Sequence, residues 1–265
     1  MYDFQYSKAQ SVVEASARLK SVEGAKLLAG GMTLLPTIKL RLAKPTALVD
    51  LGTLADLEGI EAAGGSLTIR AMTRHADVAR SAAVAKAIPA LVTLAGGIGD
   101  VQVRYRGTIG GSIANNDPAA DYPAGCLGLG AAIVTNRREI AADDFFKALF
   151  TTALEPDEII TAVRFPVPER AAYTKFKNPA SRFAIVGAFV SKGPAGVRVA
   201  ITGAGDSGVF RVPAMEQALA RSFDAKAIEG ITVPVDTMLS DIHASSEYRA
   251  HLVGVMTRRA VAACA

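Results

Sequence analysis

The sequence predicts an α+β protein built in two parts. Strand-length apolar runs alternate with helical spacing through residues 4–165, and a proline pair, Pro166 and Pro168, then interrupts the chain. Beyond it come three apolar runs in hairpin order and two helical segments, the pattern of a small antiparallel sheet backed by helices. With 265 residues, half of them hydrophobic, the chain is long enough to bury two cores.

A short strand is expected at residues 4–6, then an amphipathic helix at 7–20, with Ser7 and Gln10 spaced as a capping box and Val12, Val13 and Leu19 as its apolar positions. Residues 25–28 read as a strand that breaks into Gly30-Gly31, and helical spacing resumes over 33–42. Strands follow at 47–51 and 67–71, the second entered through Gly64-Gly65, and helices at 75–81 and 89–95. A second glycine turn at 108–112 precedes a helix of small residues at 118–129 and strands at 131–135 and 159–165. The proline pair is the expected domain boundary, dividing the chain into 1–168 and 169–265. The second part has strands at 173–177, 185–191 and 197–202, with Gly193-Pro194 turning between the last two, and helices at 213–221 and 246–264.

Composition removes several functions. The net charge of +4 comes from 29 basic and 25 acidic residues spread along the chain, which is no footprint for nucleic acid. No apolar run approaches the ~20 residues that span a bilayer, and Met1-Tyr2-Asp3-Phe4 does not open a signal peptide, so the cytoplasm is the expected location. Cys126 and Cys264 are the only cysteines and form no CxxC, so no iron–sulfur cluster or structural zinc is expected in this chain, and both read as small buried hydrophobes. His75, His243 and His251 make no HExxH pair and are assigned to the surface or to helix packing, which leaves no metal site.

The chemistry gathers in the two glycine loops. In Ala29-Gly30-Gly31-Met32-Thr33, adjacent glycines can take positive φ and aim consecutive amides at one point, and Thr33 adds a hydroxyl. The dipole of the following helix favours an anion such as pyrophosphate there, the plain alternative being a tight turn. Thr108-Ile109-Gly110-Gly111-Ser112 repeats this chemistry and runs on into Asn115-Asn116-Asp117-Pro118-Ala119-Ala120-Asp121-Tyr122-Pro123. The Asp121 carboxylate has lone pairs for both hydroxyls of a ribose diol. An Asp121 given over to that ligand would have no partner inside the fold, and its removal would leave the cofactor-free protein as stable as before. Asp117 reads as the N-cap of a helix starting at Pro118.

The two strings together, with Asp157-Glu158-Ile159-Ile160 and Tyr173-Thr174-Lys175-Phe176-Lys177, resemble the FAD-binding medium subunit of carbon monoxide dehydrogenases and related molybdenum hydroxylases of the xanthine dehydrogenase family. The resemblance covers nearly the whole chain. It implies a two-part FAD-binding domain of the vanillyl-alcohol-oxidase (PCMH) type, followed by a small C-terminal α+β domain with an antiparallel sheet. It also implies that residues 29–33 and 108–112 surround the pyrophosphate, that Asp121 meets the ribose, that Ile160 runs along the cofactor, and that Lys177 and Ile185 approach the isoalloxazine. FAD is then the only cofactor of this chain. Molybdopterin and [2Fe-2S] clusters belong to a large and a small partner subunit, in a dimer of heterotrimers that passes electrons to an external acceptor. Met32 and Arg182 depart from residues common in the family at or near those positions.

Two alternatives stand beside this reading. One is a free-standing flavin oxidase of the vanillyl-alcohol-oxidase group, against which the chain shows no evident substrate domain; the other is a scaffold that has kept the fold without the flavin. Gly203-Ala204-Gly205-Asp206-Ser207-Gly208 matches GxGxxG after a strand, but residues 209–212 separate it from the next helix, so an antiparallel turn is expected and not a Rossmann unit.

Overall fold

A computed structural model describes residues 1–264. The N-terminal portion is a small parallel sheet, β1 (Gln5–Lys8), β2 (Ala25–Leu28) and β3 (Ala47–Asp50), with β3 in the middle. Its crossovers carry α1 (Val12–Ser21) and α2 (Leu34–Lys39). The helix α1 starts later than expected, because Ser7 is taken into β1, where it pairs with Val49. The capping box is instead Ser11 and Glu14: Ser11 Oγ accepts from the Glu14 amide at 3.1 Å, and the Glu14 carboxylate accepts from the Gln10 amide at 2.8 Å.

The second unit is a five-stranded antiparallel sheet in the order β4 (Ile60–Ala63), β5 (Ser66–Arg70), β10 (Ile160–Pro166), β6 (Ala132–Thr135), β7 (Glu139–Ala141). Between β5 and β6 the chain forms α3 (His75–Arg80), α4 (Ala82–Ala87), α5 (Pro89–Gly96), α6 (Val101–Arg104), α7 (Ile109–Asn115) and α8 (Tyr122–Leu129). A one-turn α9 (Ala142–Phe145) and the small hairpin of β8 (Phe146–Ala148) and β9 (Thr151–Thr152) complete it. Two elements differ from expectation. The 108–112 segment is the start of α7, with Thr108 as its N-cap, and not a turn. Residues 118–121 form a turn outside α8: Asp117 Oδ1 accepts from the Ala119 amide at 2.9 Å, while the Pro118 carbonyl accepts from the Gly203 amide at 2.8 Å. Asp117 therefore caps that turn and not a helix.

The third unit is an antiparallel sheet, β11 (Arg170–Lys177), β12 (Ala184–Gly193), β13 (Gly196–Thr202) and β14 (Phe210–Arg211). The helices α10 (Pro213–Arg221) and α11 (Ser246–Ala263) cover one face. The other face meets α8, and composition explains how: a Cβ on Gly128 would stand 2.6 Å from Phe189 on β12, so only glycine admits the ring there. Every residue of α8 is buried, and Phe189 and Tyr173 join the same core as the five-stranded sheet. The GxGxxG string is the link from β13 to its antiparallel neighbour β14, as expected. Both cysteines are buried and free. Among the described residues no helix is long and apolar enough to cross a membrane.

Candidate cofactor site

The first glycine loop joins β2 to α2, and its backbone is left open. Gly31 sits at φ +73°, and the amides of Gly30, Gly31, Met32 and Thr33 find no acceptor among the described residues. These four consecutive donors belong to exposed or half-buried residues and are open to water or to an anion. Gly30 is required for another reason. A Cβ there would collide with the Arg106 carbonyl and stand 2.7 Å from Gly107 Cα, so this loop lies directly on the strand of chain leading into the second.

The second loop behaves differently. Its amides are already used: Ile109 donates to the Thr73 carbonyl at 3.1 Å, Gly110 to Ala71 at 2.8 Å, Gly111 to Thr108 Oγ1 at 3.2 Å, and Ser112 to the Thr108 carbonyl at 3.0 Å. Neither Gly110 nor Gly111 has positive φ, contrary to the conformational role read from the sequence. Their smallness is steric. A Cβ on Gly110 would lie 2.6 Å from Ala71 Cβ, and one on Gly111 would lie 3.0 Å from Thr108 Oγ1 and 3.5 Å from Ala29 Cβ, filling the gap between the loops. The loops thus divide the work into an open nest and a packed wall.

Together they border a cavity of about 680 Å³, within the ~300–1,000 Å³ of small-molecule and cofactor sites. Residues 29–33 line it, as do Thr108, Gly110, Gly111, Ser112, Asp121 and Ile160. Three sequence candidates lie elsewhere. Ile109 is fully buried in the core beneath the second loop, Ile185 packs in the core of the C-terminal sheet, and Lys177 is exposed at the end of β11.

Asp121 also differs from expectation, for it does have partners inside the fold. Tyr173 Oη donates to Oδ1 at 2.5 Å, and Lys175 Nζ sits 2.9 Å from the carboxylate. Burial pushes the Asp121 carboxyl above the usual range, against the lowering effect of Lys175. Each carboxylate oxygen keeps acceptor capacity beyond these bonds, and Asp121 lines the cavity.

Sequence reasoning placed none of several further residues on the cavity: it read Asp117 as a cap and His75 as surface or helix packing, noted Arg182 only as a departure from the family pattern, and did not name Phe150. Asp117 faces the cavity half-buried, its carboxyl raised by burial. His75 lines the cavity, and burial, aided by the Arg104 charge, lowers it to about 4. Among the described residues its Nδ1 has no hydrogen-bond partner, nor has the Tyr122 hydroxyl, whose ring lies 5.4 Å from the imidazole. Phe150 and Arg182 line the cavity with left-handed backbone, at φ 53° and 63°. No spacing rule reveals His75 or Phe150, because each reaches the cavity through tertiary packing.

An open amide nest, clearance that a single Cβ would remove, and a cavity of cofactor size fit a dinucleotide carrying a diphosphate. These features define, first, a candidate dinucleotide-binding site at the junction of a parallel and an antiparallel sheet. Comparison with known proteins then gives the family. The profile described as "FAD binding domain in molybdopterin dehydrogenase" matches residues 2–168. The chain is 37% identical to the carbon monoxide dehydrogenase medium chain of Afipia carboxidovorans, over 97% of this chain and 95% of that one. It is 34% identical to the nicotine 6-hydroxylase medium subunit of Paenarthrobacter nicotinovorans, over 97% and 95%. The solved structure of reconstituted CO dehydrogenase from Oligotropha carboxidovorans superposes with a TM-score of 0.89 at 35% identity, covering 99% of this chain and 98% of its counterpart. The chain belongs to this family and is an FAD-binding subunit of an oxidoreductase of the molybdenum hydroxylase class. A free-standing flavin oxidase is set aside, since these full-length relatives are medium chains and subunits.

Proposed function

We propose that this chain is the electron-transfer subunit of a cytoplasmic molybdenum hydroxylase. It receives electrons from the iron–sulfur clusters of a small partner, supplied by the molybdenum centre of a large one, in a dimer of heterotrimers. The observation that carries the reading is the run of unpaired amides at Gly30–Thr33 opening into a cavity of about 680 Å³. Those amides, with the hydroxyls of Thr33 and Ser112, hold the pyrophosphate, and Gly110 and Gly111 keep the opposite wall clear. Asp121 accepts from the ribose hydroxyls, and Ile160 lies along the cofactor. Lys177 and Ile185, on β11 and β12 and outside the cavity lining, stand in the outer surroundings of the isoalloxazine, with Ile109 behind the second loop. Residues 1–168 form the FAD-binding domain and residues 169–265 the C-terminal domain that closes against it.

Bound FAD supplies the exchange between one-electron and two-electron carriers. The chain's own residues bind it, orient it and shape the field around it. With two buried cysteines 138 positions apart in sequence, from Cys126 to Cys264, the chain has no ligand set of its own for a cluster. Substrate choice rests with the large partner: the two relatives are named for carbon monoxide and for nicotine, yet this chain resembles both to a similar degree.

Titration of the cofactor-free chain with FAD and FMN tests the reading. Stoichiometric uptake of FAD with clear preference over FMN is expected, because a cavity of about 680 Å³ offers contacts to the AMP half that FMN lacks. Equal affinity for FMN overturns the assignment of the nest, and co-purification from native cells with two partners carrying iron–sulfur and molybdenum tests the complex.

A further inference from the structure

We propose that Lys175, on the first strand of the C-terminal sheet, is a positioning residue for the flavin pocket. Its ammonium ties together two separate segments of the pocket wall and so makes FAD affinity depend on the seating of the C-terminal sheet. The inference rests on the FAD reading above and deepens it.

The geometry is specific. Lys175 Nζ donates to the Asp121 carboxylate at 2.9 Å and to the Gly97 carbonyl at 3.1 Å. Asp121 ends the 117–121 turn, and Gly97 leads into Ile98, Gly99 and Asp100; both stretches line the cavity, while Lys175 itself does not. The lysine side chain is only 9% exposed and Asp121 4%, so solvent does little to screen the pair, and neither end can be lost without stranding a buried polar group. Tyr173, two residues earlier on the same face of β11, donates to the other carboxylate oxygen at 2.5 Å. Room for that hydroxyl is built in, for a side chain at Gly187 on β12 would collide with it.

The same turn is held from a second strand. Thr202 Oγ1 on β13 shares its one proton between the carbonyls of Ala120 at 2.6 Å and Pro118 at 3.0 Å, and the Gly203 amide donates to Pro118. Among the described residues, only Lys175 hydrogen-bonds both this turn and the 97–100 segment. An ordinary domain contact would need no ammonium shared between two walls of a ligand cavity. Elsewhere the interface does without one: Arg198 binds the Leu127 carbonyl at 2.6 Å and Asp143 at 2.6 Å, and none of these three residues lines the cavity.

The experiment compares Lys175→Met with Arg198→Met in the full chain, measuring the melting temperature of the cofactor-free protein and the FAD dissociation constant of its folded fraction. Both variants should melt lower. Lys175→Met should also weaken FAD by roughly tenfold or more, the worth of a hydrogen bond to a charged group. Arg198→Met should bind as the wild type does, and Lys175→Arg, which keeps the charge, should recover part of the loss. Tyr173→Phe keeps the ion pair and serves if Lys175→Met does not fold; it should weaken FAD several-fold. Wild-type affinity in Lys175→Met, or in Tyr173→Phe where that replaces it, overturns the proposal alone, as does equal weakening in Arg198→Met. A wild-type chain that takes up no FAD overturns the flavin reading and the proposal with it.

Discussion

Replacing Gly30 with alanine puts the two-loop architecture under its most direct test. The added Cβ would stand 2.7 Å from Gly107 Cα and 2.8 Å from the Arg106 carbonyl carbon, and closer still to the oxygen. These are backbone atoms with no rotamer to change, so the loops must separate by about 1 Å to reach ordinary contact. Overpacking of this kind costs roughly 1–3 kcal/mol of stability. The larger consequence falls on binding, because a shift of ~1 Å carries the amides of the nest from hydrogen-bond distance to beyond ~3.5 Å of a fixed phosphate oxygen. Each bond to a charged group is worth about 1.5–3 kcal/mol, so loss of two weakens FAD by roughly 10²- to 10⁴-fold. Fluorescence titration of FAD into the cofactor-free variant measures this. Gly96→Ala is the control, since its Cβ would meet nothing nearer than Ala79 at 4.0 Å. A Gly30→Ala protein that binds FAD within threefold of the wild type would refute the reasoning.

The neighbouring glycines should separate stability from binding: Gly110→Ala, driven against Ala71, should lower the melting temperature of the cofactor-free protein, whereas Gly111→Ala should act mainly on FAD affinity. Asp121→Ala strands a buried ammonium and a tyrosine hydroxyl, so calorimetry should show the cofactor-free protein destabilised by roughly 3–5 kcal/mol. An unchanged melting temperature would mean those bonds are not made. His75 gives a pH signature. Its folded value, about 4, lies below the ordinary 6.5, so its contribution is complete above pH 6.5 and is lost as the unfolded chain gains a proton that the folded chain refuses until about pH 4. That is roughly 3 kcal/mol across the window. Urea melts at several pH values should show the slope in the wild type and a shallower one in His75→Leu; equal slopes count against a buried neutral imidazole.

Much of this molecule could be read in advance because its signals are local. Apolar spacing placed the strand at Ala25–Leu28 and the helix at Pro213–Arg221 with the ends seen in the structure, since each is bounded by its own punctuation: the break into Gly30-Gly31, or Pro213 at the first helical turn. Errors arose where one residue had two local uses. Ser7 suits a cap as well as a strand, and pairing with β3, some 40 residues away, takes it for the strand and leaves the cap to Ser11. Asp117 before Pro118 looks like a helix start, but Gly203 and Thr202 hold the Pro118 carbonyl and fold the segment into a turn.

The site divides along the same line. Composition and order determined that two glycine loops rich in hydroxyls exist, one after a strand and before a helix, and that this chain lacks the cysteines for a cluster. Those are properties of residue type and spacing. Which loop keeps its amides free was decided only when Ala71 and Thr73 came to accept from Ile109 and Gly110, partners more than 35 residues distant. Likewise Asp121 is a carboxylate in any reading, but its coupling to Tyr173 and Lys175 exists only because glycines in α8 let the C-terminal sheet approach closely enough for those side chains to reach it. A hydrogen bond needs its partners within about 3 Å. Across 52 residues of chain, from Asp121 to Tyr173, only the packed tertiary structure sets that distance.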